Sequence, residues 1–367
     1  MAVDLDRILN QAVAAGASDI HLKSPAEPRM RVSGELVPMD SHPPVTSADA
    51  EELKDQILKS ELKKQLYETR GSADLSYHTD SGRFRVAVIS HRGMPGFIFR
   101  VIPEAPEATL LGLPPLVLSW SAAREGLVVV TGPTGSGKST TSAALLRIIN
   151  ETRPCHIITI EDPIEFLHTD RRALVTQREI GLDADSYPGA LRAALRADPD
   201  VILIGEVRDE ETAITALRAA ETGHLVVCTM HTTGASETIQ RFAELFTERT
   251  PTLARQMLSS TLVGIVSQRL VPRSGGGLIL NAEAMLNSDR MRDAIAKGST
   301  GEIHQVIAEG EYYGMQTFDQ DLMEKVRDGS IDRDQAVSYA VSPHDFKLRL
   351  AGAVSSAANA AAYAQVR

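Results

Sequence analysis

The nine residues Gly132, Pro133, Thr134, Gly135, Ser136, Gly137, Lys138, Ser139 and Thr140 restrict the fold of this chain more than any other stretch. They follow the apolar run Leu127-Val-Val-Val-Thr131 and precede a helical pattern from Thr141 to Ile149. A turn of the form G-x-x-x-x-G-K-[ST] between a strand and a helix curls backbone N–H groups around phosphate oxygens, and the helix N-terminus adds its dipole. In that pattern Lys138 reaches the β and γ phosphates of a nucleoside triphosphate, and Ser139 places its hydroxyl on Mg²⁺. A glycine-rich surface turn is the competing reading, and the flanking strand and helix count against it. The expected ligands are ATP and Mg²⁺.

Further apolar strand candidates recur at 156–160, 201–204 and 225–230, mostly separated by helical patterns. That alternation is the mark of an α/β domain with a largely parallel sheet. Upstream, a helix is expected over 3–15, strands at 19–22 and 29–32, a helix from about Ser47 to Tyr67, and paired strands at 83–90 and 96–102. This is a smaller α+β domain. Four prolines without periodicity between Pro103 and Pro115 read as a linker. The expected division is an N-terminal domain over 1–103, a linker over 104–118, an α/β core over 119–284, a helical portion over 285–352 with turns at Gly298, Gly310, Gly314 and Gly329, and a flexible tail over 353–367.

Three further segments bring chemistry to the phosphate edge of the core. Ile157-Ile-Thr-Ile160 runs into Glu161-Asp162-Pro163, and ligands of an open parallel sheet bind outside the carboxyl ends of its strands. A carboxylate there orients or deprotonates the attacking water; an acidic N-cap for the next helix is the alternative. Val201 to Ile204 ends in Gly205-Glu206-Val-Arg208-Asp209, which resembles a Walker B element with Glu206 at its end. Glu206 would hold the magnesium shell or share water activation with Glu161. Asp209 suits an N-cap, and Arg208 a salt bridge. His224 and His231 bracket a strand and are seven residues apart, about 23 Å in extended chain, so they share no metal. His231 lies at the phosphate edge and could sense the γ-phosphate, whereas His224 works at another contact or is structural.

Composition bounds the partners. The chain has 367 residues, a net charge of −10 and 4% aromatic residues, a poor basis for neutralising nucleic-acid phosphates or stacking bases. No nucleic acid is expected. No apolar run spans a bilayer, the first residues lack the order of a secretory signal, and a cytoplasmic location is expected. Cys155 and Cys228 stand in apolar runs without a Cys-x-x-Cys partner and read as buried thiols.

The segments ITIEDPIEF, ALRADPDVILIGEVRD, HLVVCTMHT and GPTGSGKSTT together resemble the secretion ATPase superfamily that powers type II secretion and type IV pili. The resemblance extends through Gly16-Ala-Ser-Asp-Ile-His-Leu22, Val266-Ser-Gln-Arg-Leu270, Gly314-Met-Gln-Thr-Phe-Asp319 and Ser342-Pro-His-Asp-Phe-Lys-Leu348. It is nearest to the pilus retraction, or twitching motility, branch (PilT-like). That likeness implies a PAS-like N-terminal domain and a RecA-like core in a homo-hexamer with ATP between subunits. It also implies a location at the cytoplasmic face of the inner membrane, an inner-membrane pilus platform protein as partner, and pilin as the indirect load.

Family arginines of the N-terminal domain reach the nucleotide, and the matching pattern here assigns Arg85 and Arg100 to that role; arginines alternating on the solvent face of two strands are the alternative. Assembly and type II secretion relatives typically carry an extra N-terminal region and a four-cysteine zinc module, and this sequence shows neither. The AIRNLIRE-like helix of the retraction branch is matched in part by Arg290-Met-Arg-Asp-Ala-Ile-Ala-Lys-Gly298. A pilus assembly or secretion ATPase, a RecA-like nucleic-acid translocase and a nucleotide-gated scaffold stay open beside retraction.

Overall fold

Helix α1 (Leu5–Ala14) starts where the Asp4 side chain accepts the Arg7 amide, and it buries Leu5, Ile8, Leu9 and Ala12 at helical spacing. The structure, a computed structural model, describes residues 3–80, 82–246 and 251–352. Two units are distinguished, Met1–Glu104 and Ala105–Arg367. In the first, α1 is followed by β1 (Asp19–Lys23), β2 (Arg29–Val32), β3 (Glu35–Pro38), α2 (Ser47–Ile57), α3 (Glu61–Arg70), β4 (Ser72–Thr79), β5 (Gly82–His91) and β6 (Met94–Ile102). The strands form one antiparallel sheet in the order β3-β2-β1-β6-β5-β4. Alternation puts Ile20, Leu22, Phe84, Val86, Phe97 and Phe99 into a core shared with α1 and α2.

The helix expected from Ser47 to Tyr67 is two helices. Thr46 and Asp49 form a capping box at the start of α2, but the chain leaves the helical course at Leu58 (φ −83°, ψ 68°), whose side chain is buried, and α3 restarts after Ser60. The hairpin strands β3 and β4 went unread because they are polar and half-exposed.

The second unit contains α4 (Pro115–Ser119), β7 (Gly126–Thr131), α5 (Lys138–Thr152), β8 (His156–Glu161), β9 (Leu174–Glu179), α6 (Tyr187–Ala194), β10 (Val201–Ile204), α7 (Glu210–Glu221), β11 (Leu225–Met230), α8 (Ala235–Leu245), α9 (Pro251–Thr261), β12 (Leu262–Pro272) and β13 (Leu278–Leu286). Helices α10 (Asp289–Lys297), α11 (Thr300–Glu309), α12 (Phe318–Arg327) and α13 (Arg333–Tyr339) follow. The sheet order is β13-β12-β7-β11-β10-β8-β9, parallel throughout except for β13 against β12. This is the RecA-like α/β core that the resemblance implies. Strands β7, β10 and β11 are buried at every position, as strands covered by helices on both faces must be.

The proline-rich stretch read as a linker carries buried Ala105, Ala108, Leu113 and Val117, and the Ala105 amide donates to the Leu167 carbonyl at 3.0 Å. Its prolines prevent periodicity without preventing burial. In the helical portion Gly298, Gly314 and Gly329 have positive φ at helix or turn ends, as read. Met291, Ile295, Ile303 and Ile307 of α10 and α11 belong to the main core, so this portion is only partly an appendage. A small separate cluster of Val271, Leu322, Met323, Ile331, Ala336, Phe346 and Leu350 holds the last helices. The expected tail, 353–367, lies outside the described residues.

Cys228 is buried within β11, and burial pushes its thiol far up. Cys155, expected to be buried, is half-buried at the entrance to β8, with its thiol also raised by burial. Among the described residues no helix is long and apolar enough to cross a membrane.

Candidate nucleotide site

The glycine-rich turn closes as its pattern demands. Gly137 (φ 89°) stands in the left-handed region and caps α5, so Lys138 opens the helix. Gly132 (φ 145°) passes so close to β12 that a Cβ there would lie 2.4 Å from the Gln268 carbonyl oxygen. Behind the turn, Thr131 Oγ1 donates to Ser267 Oγ at 2.9 Å and Gln268 Nε2 donates to Thr141 Oγ1 at 2.7 Å. Ser267 and Gln268 belong to the Val266–Leu270 segment, to which sequence reasoning gave no job; they brace the strand and helix on either side of the turn.

In front of the turn lies a cavity of about 540 Å³ lined by Thr134, Gly135, Gly137, Lys138, Ser139 and Thr140, and by Glu161, Asp162, Glu206, Arg208 and His231. Parallel register explains the convergence: β7, β11, β10 and β8 are neighbours running the same way, so their carboxyl ends share one edge. Thr134 and His231, far apart in the sequence, therefore meet in one cavity.

Lys138 Nζ, almost fully buried, donates to the carbonyls of Gly132 (2.8 Å) and Pro133 (3.1 Å) and lies 3.4 Å from His231 Nδ1. Burial lowers its pKa, while Glu206 and Glu165 pull it back up. His231 Nε2 lies 3.4 Å from Glu206 Oε2. The tautomer with hydrogen on Nε2 satisfies both contacts, so His231 bridges the lysine and the carboxylate. Arg208 NH2 donates to the same Glu206 oxygen at 2.6 Å from an exposed side chain.

The two carboxylates differ in environment. Burial pushes Glu161 up, against the hydrogen bonds from Thr159 Oγ1 (2.6 Å) and Gln177 Nε2 (3.2 Å). For Glu206 burial also acts upward, but the Arg208 bond and the adjacent His231 outweigh it and hold the carboxyl below its ordinary value. A pair pushed apart in this way suits one group to proton transfer and the other to a permanent negative charge.

Other expectations find their places. Asp162 is exposed at the rim of the cavity. Asp209 accepts the Thr212 amide at 2.8 Å as N-cap of α7. His224 stands at the opposite end of β11, where its Nδ1–H donates to the Ala219 carbonyl at 2.9 Å and closes the end of α7; it is not in the cavity. Arg85 and Arg100 are exposed and directly opposite each other on β5 and β6, with Arg100 Nε bonded to Asp19 Oδ1 at 2.9 Å. Sequence reasoning missed Gln177, Tyr187 and His168. The last two line the cavity, Tyr187 with its phenol pushed up by burial and His168 lowered to about 4 by burial. His168 had a sequence signal in its closeness to the Glu161 segment, whereas Gln177 on β9 and Tyr187 at the start of α6 had none.

The family model for type II/IV secretion system proteins matches residues 114–329, more than half of the chain. The type IV pilus retraction ATPase PilT of Pseudomonas aeruginosa is 39% identical, over 94% of this chain and 100% of that protein. The twitching motility protein of Neisseria gonorrhoeae is also 39% identical, over 84% of this chain and 83% of that protein. A crystal structure of the pilus retraction motor PilT with bound ADP superimposes with a TM-score of 0.83 at 41% identity, covering 94% of this chain and 98% of that one. With a cradle for phosphate, two carboxylates of opposed character and these likenesses, the chain belongs to the type II/IV secretion system protein family.

Proposed function

We propose that this protein is an ATPase that couples ATP hydrolysis to retraction of type IV pili, the movement behind twitching motility. It works as a homo-hexamer at the cytoplasmic face of the inner membrane, against a pilus platform protein, with pilin as its indirect load. The observation that carries the reading is the meeting of Lys138, Glu161, Glu206 and His231 around one cavity at the mouth of the glycine-rich turn.

The backbone N–H groups of residues 134–140 and the Lys138 ammonium take the phosphates of ATP; on binding, Lys138 exchanges its two carbonyl partners for phosphate oxygens. Ser139 and Glu206 fit Mg²⁺, because a hydroxyl and an ionised carboxylate in one cavity match the few hard oxygen ligands this ion takes from protein beside phosphates and water. Bound with the nucleotide, Mg²⁺ would neutralise charge on the phosphate oxygens. Glu161 orients the lytic water and takes its proton as the water oxygen bonds to the γ-phosphorus and the bond to the β,γ-bridging oxygen breaks. His231, bridging Lys138 and Glu206, registers whether the γ-phosphate is present. Arg85 and Arg100 keep the role that the family resemblance implies, as guanidinium groups that would neutralise charge on the transferring phosphoryl group.

Lys138→Ala is expected to abolish nucleotide binding and turnover, and Glu206→Ala to leave binding while stopping phosphate release; normal turnover in both variants sinks the assignment. In cells, deletion of the gene should give excess surface pili with lost surface motility, whereas bald cells would indicate pilus extension.

A further inference from the structure

We propose that Thr159 and Gln177 are positioning residues for Glu161, holding its carboxyl group through a single oxygen so that the group stays aimed at the attacking water. The inference rests on the reading of Glu161 as the base. Thr159 Oγ1 and Gln177 Nε2 both donate to Glu161 Oε1, at 2.6 Å and 3.2 Å. The last side-chain torsion of a glutamate is otherwise broad, so two donors converging on one oxygen set the carboxyl plane.

Each donor is itself fixed. Thr159 is fully buried on β8, where its β-branched side chain has few rotamers. Gln177 is its register partner on β9. The Gln177 amide also donates to the Phe166 carbonyl at 2.9 Å and accepts the His168 amide at 2.9 Å. Gln177 therefore ties the base to the loop that follows it, over residues 163–168, and β9 serves as the support of that loop.

The donors also keep the base usable. Burial alone favours its protonated form, and hydrogen bonds to the carboxylate oppose that. Glu165 in the loop acts both ways, its charge raising the Glu161 pKa and its backbone amide lowering it. Tyr187 approaches from α6, and Lys138 and Glu206 line the same cavity from α5 and the end of β10. The Glu165 amide is a third donor to the carboxyl group, beside the two side-chain donors on Oε1.

The test is steady-state ATP hydrolysis by the full chain across the acid limb, with ATP binding and thermal melting as controls. Thr159→Val and Gln177→Leu should each lower kcat about tenfold, leave KM within about twofold and move the acid limb upward by about one pH unit. Thr159→Ser, which keeps the hydroxyl, should restore the wild-type limb. Should Thr159→Val fail to fold, Gln177→Leu at the half-buried partner decides alone. If Glu161→Gln is inactive but the Val and Leu variants keep the wild-type kcat and acid limb, the positioning role is wrong and the base stands. If Glu161→Gln turns over normally, the base reading has failed first.

Discussion

Glu161 is placed for reactivity at the expense of the fold, and the sign of that conflict is testable. A carboxyl whose folded pKa is raised above its unfolded value loses stability as the pH rises through the unfolded value, and the loss stops growing above the folded value. Glu161→Gln removes the ionisation while keeping the shape. It should therefore melt higher than wild type at neutral pH, by about 2 °C, with the gap shrinking as the pH falls through the raised folded value and gone below about 4.3, the ordinary glutamate value. A calorimetric pH series checks this. Gly132 makes the opposite case, since its φ and the Gln268 carbonyl 2.4 Å from any Cβ leave no room for a side chain. Gly132→Ala should cost roughly 2–3 kcal/mol and weaken ATP binding, read by denaturant titration and by a fluorescent nucleotide analogue.

At the scale of elements, the strands buried on both faces were legible because Leu127-Val-Val-Val and Val201-Ile-Leu-Ile are short, rich in β-branched residues and followed by glycine-containing turns, as covered strands are. Strand β9 was not, since Leu174-Val-Thr-Gln-Arg-Glu is an edge strand with Leu174 and Thr176 exposed and only Glu179 buried, and its worth lies in the hydrogen bonds of Gln177. Strands β12 and β13 escaped for another reason: Ser267, Gln268, Asn281 and Glu283 are polar yet buried, and only a structure reveals their partners. The cavity was legible at four strand ends because glycine, carboxylate and histidine at such ends have few other uses; its supports were not, because threonine and glutamine inside a strand carry no signature. The join of β13 to α12 is equally silent in sequence. Asp321 accepts Asn281 Nδ2 at 2.8 Å and the Ala282 amide at 2.9 Å, and pairs with Lys325. Asp321→Ala strands a nearly buried lysine, and a loss of about 3 kcal/mol is expected in urea unfolding of the second unit.

For the whole molecule, the first unit has a core of its own, in which Phe84, Phe97 and Phe99 meet α1 and α2. Expressed alone, residues 1–104 should fold cooperatively, with a single melting transition by circular dichroism; a featureless melt would mean that its core is insufficient. The second unit carries an unusual reporter in Cys228, which is enclosed by β10 and β7 on either side and leads, three residues on, to the cavity histidine. A thiol so shielded meets an alkylating reagent only when the sheet itself comes apart. Its rate of modification is thus a clock for opening of the motor's central strand, and ATP that tightens the strand ends should slow that clock.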